Sequence, residues 1–313
     1  MRRGIITRAQ YERAQARPSA LPPQVSCELL DVGEHASPAE ERMFEAAQIY
    51  LQTSNGTYRT SFARRFRDLD AAVLRLLQRQ HAASARLQVQ DRAVSHALTS
   101  CEWAGELFRA FPQAELEASD VLLHVLRARL ANGAAYIAEP GGKPIQYIRA
   151  PFVVSLCGRE PRRYVVNRVV ASRAWRRFAQ AWGAARAAGG GVSEISCLHP
   201  QARRLRARDP RFRVVLRSVF EPTPPVDVVR TMNIFNLDYF PEARLAAGVG
   251  AVWASLKPGA LWIVGSTLES DHSNHATLFE RAAAGWTVLE RLGRGVEAEA
   301  LMLSVGAGGH GRA

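Results

Sequence analysis

Apolar and polar positions follow two different periods along residues 226–265, and together they predict a strand, a helix and a second strand. Residues 226–229 (VDVV) are mostly β-branched and end in a polar, aromatic loop, as a short buried strand does. After Pro241 the apolar positions are spaced by three and four, and residues 261–264 (LWIV) form a second apolar run. A crossover of this length joins parallel strands, which occur in sheets covered by helices on both faces. The residues of the predicted helical face are Leu245, Val249, Val252, Trp253 and Leu256.

The same alternation of strand and helix is predicted earlier in the chain. Residues 87–91 (LQVQD) predict a strand that ends at Asp91, and a helix follows as far as Phe111. Residues 115–120 (ELEASD) predict the next strand, which ends at Asp120. Ligands of open parallel sheets bind beyond the carboxyl ends of the strands, so both acids are expected at the edge where a ligand would lie.

Residues 134–170 interrupt this pattern. Two alternating apolar runs flank Pro140-Gly141-Gly142-Lys143, which predicts a β-hairpin. Three roles are open for this hairpin: an addition to the edge of the sheet, a flap over the site, or the contact of a homodimer. Further on, strands are predicted at 192–196 and 212–216, and a closing antiparallel hairpin at 286–292 and 298–305.

The predicted elements divide the chain into four parts. Residues 1–36 form a basic, proline-containing arm, and residues 37–85 form a helical cap that begins at the helix-start signal Ser37-Pro38. Residues 86–305 form an α/β domain, a doubly wound and mostly parallel sheet that carries the insertion 134–170. Residues 306–313 are expected to be disordered.

The amino-acid composition is that of an ordinary globular protein. The chain has 313 residues, of which 47% are hydrophobic and 22% are charged, so it can bury a full core. No apolar run approaches the roughly 18 residues that a membrane-spanning helix needs, and the N-terminus lacks the apolar stretch of a secretion signal. We therefore expect a cytoplasmic protein with no membrane partner.

The net charge of +12 raises the question of an anionic partner such as nucleic acid. Almost all the cations are arginines, and they are spread along the chain in small clusters such as Arg64-Arg65 and Arg203-Arg204. Solvated helix faces are therefore favoured over a nucleic-acid groove. The four cysteines are far apart and form no CxxC pair, so free thiols are expected and no metal site is predicted.

The stretch VDVVRTMNIFNLDYFPEARLAAGVGAVWASLKPGALWIVG, residues 226–265, resembles the second half of the class I S-adenosylmethionine (SAM)-dependent methyltransferases. Within that family, this stretch most resembles the sequences of the chemotaxis-receptor methyltransferases and of bacterial homologues of unassigned substrate. In that family an acidic strand start, an asparagine-containing loop, a helix and a Lys-Pro-Gly-Gly turn follow one another. Here the turn is Lys257-Pro258-Gly259-Ala260. The resemblance implies a Rossmann-like seven-stranded sheet and SAM as the cofactor.

The resemblance also implies the residues that contact the cofactor. Asp91 and Asp120 match the family's acids at the ends of the first two strands, and the second of these binds the ribose hydroxyls. Ser218 falls where the family usually has an aspartate for the adenine, and Asn233 lies where the loop passes the methyl group. The full set of predicted cofactor-binding residues is Asp91, Ala93, Ser95, His96, Ala97, Asp120, Val121, Ser218, Val219 and Asn233.

Two residues are candidates for catalysis. Tyr239 could hold a small-molecule or peptide acceptor, and His272 could act as a base near neutral pH. Each has a structural alternative, since Tyr239 could be a half-buried packing residue and a loop histidine is more often exposed to solvent.

The loop after Asp91 departs from the family. Its sequence, DRAVSHALTS, contains none of the family's glycines, and keeping the same backbone without glycine costs about 1 to 2 kcal/mol per left-handed residue. Two hypotheses follow. The chain is a methyltransferase that acts on an unidentified acceptor, or it is a degenerate methyltransferase-fold protein that acts as a binding or regulatory partner without catalysis.

Overall fold

The computed structural model describes residues 4–16, 24–54, 59–157, 165–187 and 191–305. The predicted tail 306–313 and parts of the predicted arm 1–36 lie outside these residues. The chain divides into two compact units, and each is built from two segments that alternate along the sequence. The first unit contains residues 1–61 and 122–203, and the second contains residues 62–121 and 204–313.

The second unit is built on a seven-stranded sheet, whose order is β12-β11-β10-β9-β1-β2-β8. Five adjacent strands, β10, β9, β1, β2 and β8, are parallel, and β11 pairs antiparallel with both β10 and β12. This confirms the predicted α/β, mostly parallel sheet. The strands are β1 (Gln88–Arg92), β2 (Glu115–Asp120), β8 (Phe212–Leu216), β9 (Val226–Met232), β10 (Leu256–Thr267), β11 (Asn274–Arg281) and β12 (Trp286–Leu292).

Helices cover both faces of this sheet, as a doubly wound fold requires. Alternate side chains of β9 point in opposite directions: Val229 joins an apolar core with Leu245 and Trp262, while Arg230 contacts residues of two other helices. The helices of this unit are α3 (Arg67–Gln80), α4 (Leu98–Ala110), α6 (Pro200–Arg208, which begins in the first unit), α7 (Glu242–Ala254) and α8 (Glu299–Ser304).

Two predictions for this unit are wrong in detail. The closing hairpin is formed by β11 and β12, because residues 299–304 are helical and not a strand. The Lys257-Pro258-Gly259 turn lies within β10, where the pairing with β9 jumps from Leu256 to Leu261. Gly259 there has a φ of +77°, a conformation that glycine adopts without a steric penalty.

The first unit contains a separate five-stranded antiparallel sheet, in the order β6-β5-β4-β3-β7. One face packs on α2 and the segment before it, and the other face packs on α5. The elements of this unit are α1 (Arg8–Ala16), a 3-10 turn (Cys27–Leu30), α2 (Pro38–Ile49), β3 (His124–Arg129), β4 (Ala135–Ala138), β5 (Pro144–Arg149), β6 (Phe152–Ser155), α5 (Val165–Ala187) and β7 (Val192–Ser196).

The insertion is therefore larger than the predicted hairpin. The hairpin of β4 and β5 exists, but it is flanked by β3, which the sequence analysis missed, and by β7, which it assigned to the parallel sheet. Parts of the predicted arm and cap belong to the same unit. The amide of buried Gln146 accepts from the N–H of Cys27 at 2.9 Å and donates to the carbonyl of Val25 at 3.0 Å. These bonds attach the N-terminal segment to β5.

The four cysteines are free thiols, and three of them are buried. Among the described residues, no helix combines the length and hydropathy needed to cross a membrane.

Candidate functional site

The carboxyl ends of four adjacent parallel strands meet at one edge of the seven-stranded sheet. β2, β1, β9 and β10 lie side by side in register, so the loops that leave them start from neighbouring positions. These loops begin at Val121, Ala93, Asn233 and Leu268. Ligands of open parallel sheets bind at such an edge, and Ala93, Val121 and Asn233 of the predicted site residues lie along it.

The loop between β1 and α4 adopts an unusual backbone. Ala93, Ser95 and Ala97 have φ values of 61°, 57° and 62°, so three alternate residues other than glycine are left-handed. Each such residue costs about 1 to 3 kcal/mol and persists only where surrounding contacts hold it. The loop therefore has a backbone suited to glycine at three positions that carry other residues.

Contacts with β2 hold this loop in place. The N–H of Val94 donates to the carbonyl of Ser119 at 3.2 Å, and the N–H of Ser95 donates to Oδ2 of Asp120 at 2.7 Å. Asp120 is buried, with 6% of its surface exposed. Asp120, which the family resemblance predicts to bind the ribose, therefore orients the strained loop. The next side chain, Val121, is 57% exposed, which leaves an apolar surface open beside the carboxylate.

Asp91 has a different role from the predicted one. Its two oxygens accept from Nε and Nη2 of Arg230 at 3.0 and 2.5 Å, and Ser100 Oγ donates to Oδ2 at 2.6 Å. Asp91 is 4% exposed and Arg230 is fully buried. The carboxylate is engaged by the protein on both oxygens, so the structure assigns it to an internal ion pair and not to a cofactor contact.

Arg230 completes this ion cluster with a second carboxylate. Its Nη1 pairs with Asp70 of α3, and its guanidinium lies 4.1 Å from the ring centroid of Trp103 and 5.3 Å from that of Phe66. A buried guanidinium is stable only when its charge is paired, and stacking on aromatic rings adds to the pairing. Asp70 was missed because a helical aspartate looks like a surface residue in the sequence.

The cluster shifts the protonation of its members. Burial raises the pKa of Asp70 to about 7, and the charge of Asp91 adds to this shift while Arg230 opposes it. Burial alone would lower the pKa of Arg230, but the two carboxylates outweigh it and hold the pKa above its ordinary value. Two carboxylates therefore share one guanidinium. Of the two, Asp70 is the carboxylate whose neutral form is stabilised by burial.

The other end of the edge is formed by the loops after β9 and β10. Asn233 is left-handed, with a φ of 60°, and its Oδ1 accepts from the N–H of Thr267 at 2.7 Å. Its own N–H donates to the carbonyl of Gly265 at 2.8 Å. The amide that was predicted near the methyl group therefore joins the two loops.

Tyr239 and His272, the predicted catalytic residues, both lie near the segment that precedes α3. Tyr239 is 42% exposed, and the ring of His272 packs edge-on against Phe62 with centroids 5.0 Å apart. Arg65 donates from Nε to Thr267 Oγ1 at 3.1 Å. Burial lowers the pKa of Arg65, and the nearby Tyr239 and Glu269 offset part of this effect. Phe62 and Arg65 are thus residues of this rim that sequence reasoning missed, because both precede the α/β domain in the chain.

Three predicted cofactor residues are placed in the protein interior or in a local turn. His96 is fully buried and Val219 is 5% exposed within the apolar core that contains Phe235. The hydroxyl of Ser218 accepts from the N–H of Phe220 at 3.2 Å and closes a short turn. The side chains of His96 and Val219 therefore do not present themselves to a ligand, and Ser218 uses its oxygen locally.

The edge thus brings together the loop 93–97, Asp120, Val121, Asn233 and, on its rim, Tyr239 and His272. Asp91 is held in the ion pair with Arg230, and Val219 is packed in the apolar core that contains Phe235. The resulting site offers a buried carboxylate, an exposed apolar side chain and strained backbone at adjacent strand ends. Such a site can accept hydrogen bonds from a sugar and pack against a flat ring.

No known family model and no curated protein matches the sequence. Among solved structures, the chain is similar to magnesium protoporphyrin IX methyltransferase from Synechocystis PCC 6803 with bound SAM. The identity is 10% and the TM-score 0.32, over 66% of this chain and 60% of that one. It is also similar to the N-methyltransferase NodS from Bradyrhizobium japonicum WM9 in complex with S-adenosyl-L-homocysteine, at 10% identity and a TM-score of 0.32.

This second similarity covers 66% of this chain and 65% of the other. A third, to human N-acetylserotonin methyltransferase in complex with SAM, has 9% identity and a TM-score of 0.31 over 74% and 39% of the two chains. The chain thus covers less than two thirds of the length of these proteins. The fold of the second unit is defined by its own strand order and by the geometry of the edge described above.

The ion cluster predicts a large effect of removing Arg230. Arg230→Leu leaves Asp70 and Asp91 buried without their cation, and we expect it to lower the free energy of unfolding by about 3 to 5 kcal/mol. Lys257→Gln is the control, because it removes a partly exposed pair of 2.8 Å with Asp227 and should cost less than about 1 kcal/mol. Urea unfolding of both variants tests this, and equal costs would contradict it.

Asp70 predicts a pH dependence of stability. Between about pH 4 and pH 7 the unfolded chain has lost the Asp70 proton while the folded chain retains it. Its contribution to the free energy of unfolding is therefore complete below about pH 4 and falls as pH rises, by up to about 1.4 kcal/mol per pH unit.

Asp70→Asn imitates the neutral form and should lack this loss. Urea unfolding at several values between pH 5 and pH 8 compares the two proteins. We expect the wild type to become less stable relative to the variant as pH rises, and parallel curves would refute the assignment.

The strained loop predicts that glycine is tolerated at position 93. Ala93→Gly relieves about 1 kcal/mol of left-handed strain and costs a similar or smaller amount through the flexibility of the unfolded chain. We expect unchanged or slightly increased stability. Ala247→Gly, at an exposed position within α7, is the matched control and should destabilise by about 1 kcal/mol. A loss at position 93 as large as that at 247, measured by urea unfolding, would argue against strain in the loop.

Proposed function

We propose that the second unit binds SAM at the carboxyl edge of its sheet and transfers the methyl group to an acceptor. The observation that carries this proposal is the left-handed backbone at Ala93, Ser95 and Ala97, which is hydrogen-bonded to Asp120 at the end of the next strand. A chain with no use for this backbone would be expected to relax it, because each of these residues is strained. The sheet order supports the same proposal.

Each part of the edge has a role in this proposal. The loop 93–97 lies along the methionine part of SAM, Asp120 accepts from the ribose hydroxyls, and Val121 packs against the adenine. Displacement at a sulfonium methyl needs mainly alignment of the nucleophile in a site that excludes water. Tyr239 orients the acceptor, and His272 removes its proton where the nucleophile carries one.

The alternative is a methyltransferase-fold protein that binds a nucleoside or a partner without catalysis. Two observations favour it: both oxygens of Asp91 are engaged by protein groups, and His96 is buried within the loop where the family has small residues. SAM binding without any methyl transfer would support this alternative over the enzyme.

Calorimetric titration with SAM and with S-adenosylhomocysteine tests the binding part of the proposal. Asp120→Asn removes a charged acceptor, and hydrogen bonds to charged groups contribute about 1.5 to 3 kcal/mol. We therefore expect the dissociation constant for SAM to increase about 10- to 100-fold. Absence of SAM binding to the wild type at millimolar concentration would refute the proposal.

Asp227→Asn is the matched control for this titration. Asp227 lies at the amino end of β9, where it accepts from the N–H of Gln88 at 2.8 Å and pairs with Lys257. This change is chemically identical but lies at the opposite edge of the sheet, so SAM affinity should stay within about twofold. Incubation with SAM and a panel of phenols, carboxylic acids, amines and peptides then shows whether S-adenosylhomocysteine is formed.

A further inference from the structure

The first unit contains a cleft that plays no part in the proposed methyl transfer. It lies between α5 and the strands β4, β5 and β6, and its volume is about 350 Å³. Small-molecule sites have volumes of roughly 300 to 1,000 Å³, so the cleft is large enough for a ligand of one or two rings. The described residues that line it all belong to the first unit.

Aromatic and aliphatic side chains form the floor of the cleft. Tyr136 and Tyr147 are direct cross-strand neighbours whose ring centroids are 4.9 Å apart, and Val154 lies opposite Tyr147 on the next strand. The hydroxyl of Tyr136 donates to the carbonyl of Ala174 at 2.9 Å, which fixes α5 to the sheet. The phenol is thereby satisfied within the protein. Because Tyr136 is only 2% exposed, the half-buried ring of Tyr147 provides the aromatic surface that faces the cleft. Phe152, which is partly exposed, continues this surface toward solvent.

Three arginines surround this floor. Arg149 is the last residue of β5, two residues after Tyr147. Arg173 and Arg177 are four residues apart on α5 and therefore lie on the same helix face. All three are exposed, and within the described ranges none of them forms an ion pair. Among the described residues that line the cleft, none is acidic. Like charges gathered beside an apolar surface repel one another, and an anion between them would relieve this repulsion.

We propose that this cleft is a binding site for a small anionic ligand with a flat apolar body, such as an aromatic carboxylate, sulfonate or phosphate. The ring stacks on Tyr147 and packs against Phe152, where offset aromatic contacts are favourable. The anionic group lies between the guanidinium groups, whose planar forks bind two oxygens at once. This site is independent of the edge of the seven-stranded sheet.

Fluorescence titration of the full chain with 1-anilinonaphthalene-8-sulfonate tests the proposal, because this probe has both parts of the proposed ligand and brightens in apolar surroundings. We expect saturable binding of one probe per chain. The double variant Arg173→Gln with Arg177→Gln should weaken binding at least 10-fold. N-phenyl-1-naphthylamine, which lacks the sulfonate, should bind at least 10-fold more weakly to the wild type and respond little to the double variant.

The double variant Arg176→Gln with Arg186→Gln is the matched control. It removes the same charge from the same helix at positions outside the cleft, so the affinity should change less than twofold. Phe152→Ala should weaken both probes, and circular dichroism confirms that each variant is folded. Equal losses in the two double variants would show nonspecific attraction to a basic surface and overturn the proposal, as would the absence of saturable binding.

Discussion

The buried ion cluster of Arg230 with Asp70 and Asp91 is the interaction on which the candidate site depends. It connects the ends of β1 and β9 to α3, and Ser100 of α4 donates to the same carboxylate. Because each carboxylate and the guanidinium are buried, separating them would leave uncompensated charge. The start of the loop 93–97 is therefore fixed in position before any ligand arrives.

The strained backbone of that loop follows from this anchoring. The cluster holds the loop at Asp91, and Asp120 holds it in the middle through the N–H of Ser95. Three left-handed residues between these anchors are the arrangement expected where neighbouring contacts over-determine the backbone. A carboxylate that the family resemblance assigns to the cofactor serves here to support the loop, and the second carboxylate remains at the edge. The site therefore combines a strained backbone with carboxylates that the fold holds in place.

The rim of the edge draws on distant parts of the chain. Phe62 and Arg65 come from the segment before β1, and they contact His272 and Thr267 from the loop after β10. Asn233 joins that loop to the end of β9. A site of this kind is assembled from loops on a rigid sheet, so its residues are separated in sequence although they are neighbours in space.

The local elements and the strand ends could be predicted from the amino-acid pattern alone. Periodicity placed β1, β2, β8, α7 and much of β9, and it located Asp91 and Asp120 at the ends of their strands, because spacing of apolar residues reflects which faces are buried. The resemblance to methyltransferases added the correct sheet class. It also directed attention to positions 93, 95 and 97, whose left-handed backbone no periodic pattern reveals.

Which elements pair with one another became visible only in the folded chain. In the fold, β7 pairs with β3 in the antiparallel sheet, and residues 299–304, which were predicted as a strand, form a helix. The fold also pairs Asp91 with Arg230, which is 139 residues away in the chain. The sheet that a strand joins and the partner of a charged residue depend on contacts between distant segments. Local sequence does not predict these contacts. The role of a charged residue is set by what folding brings against it.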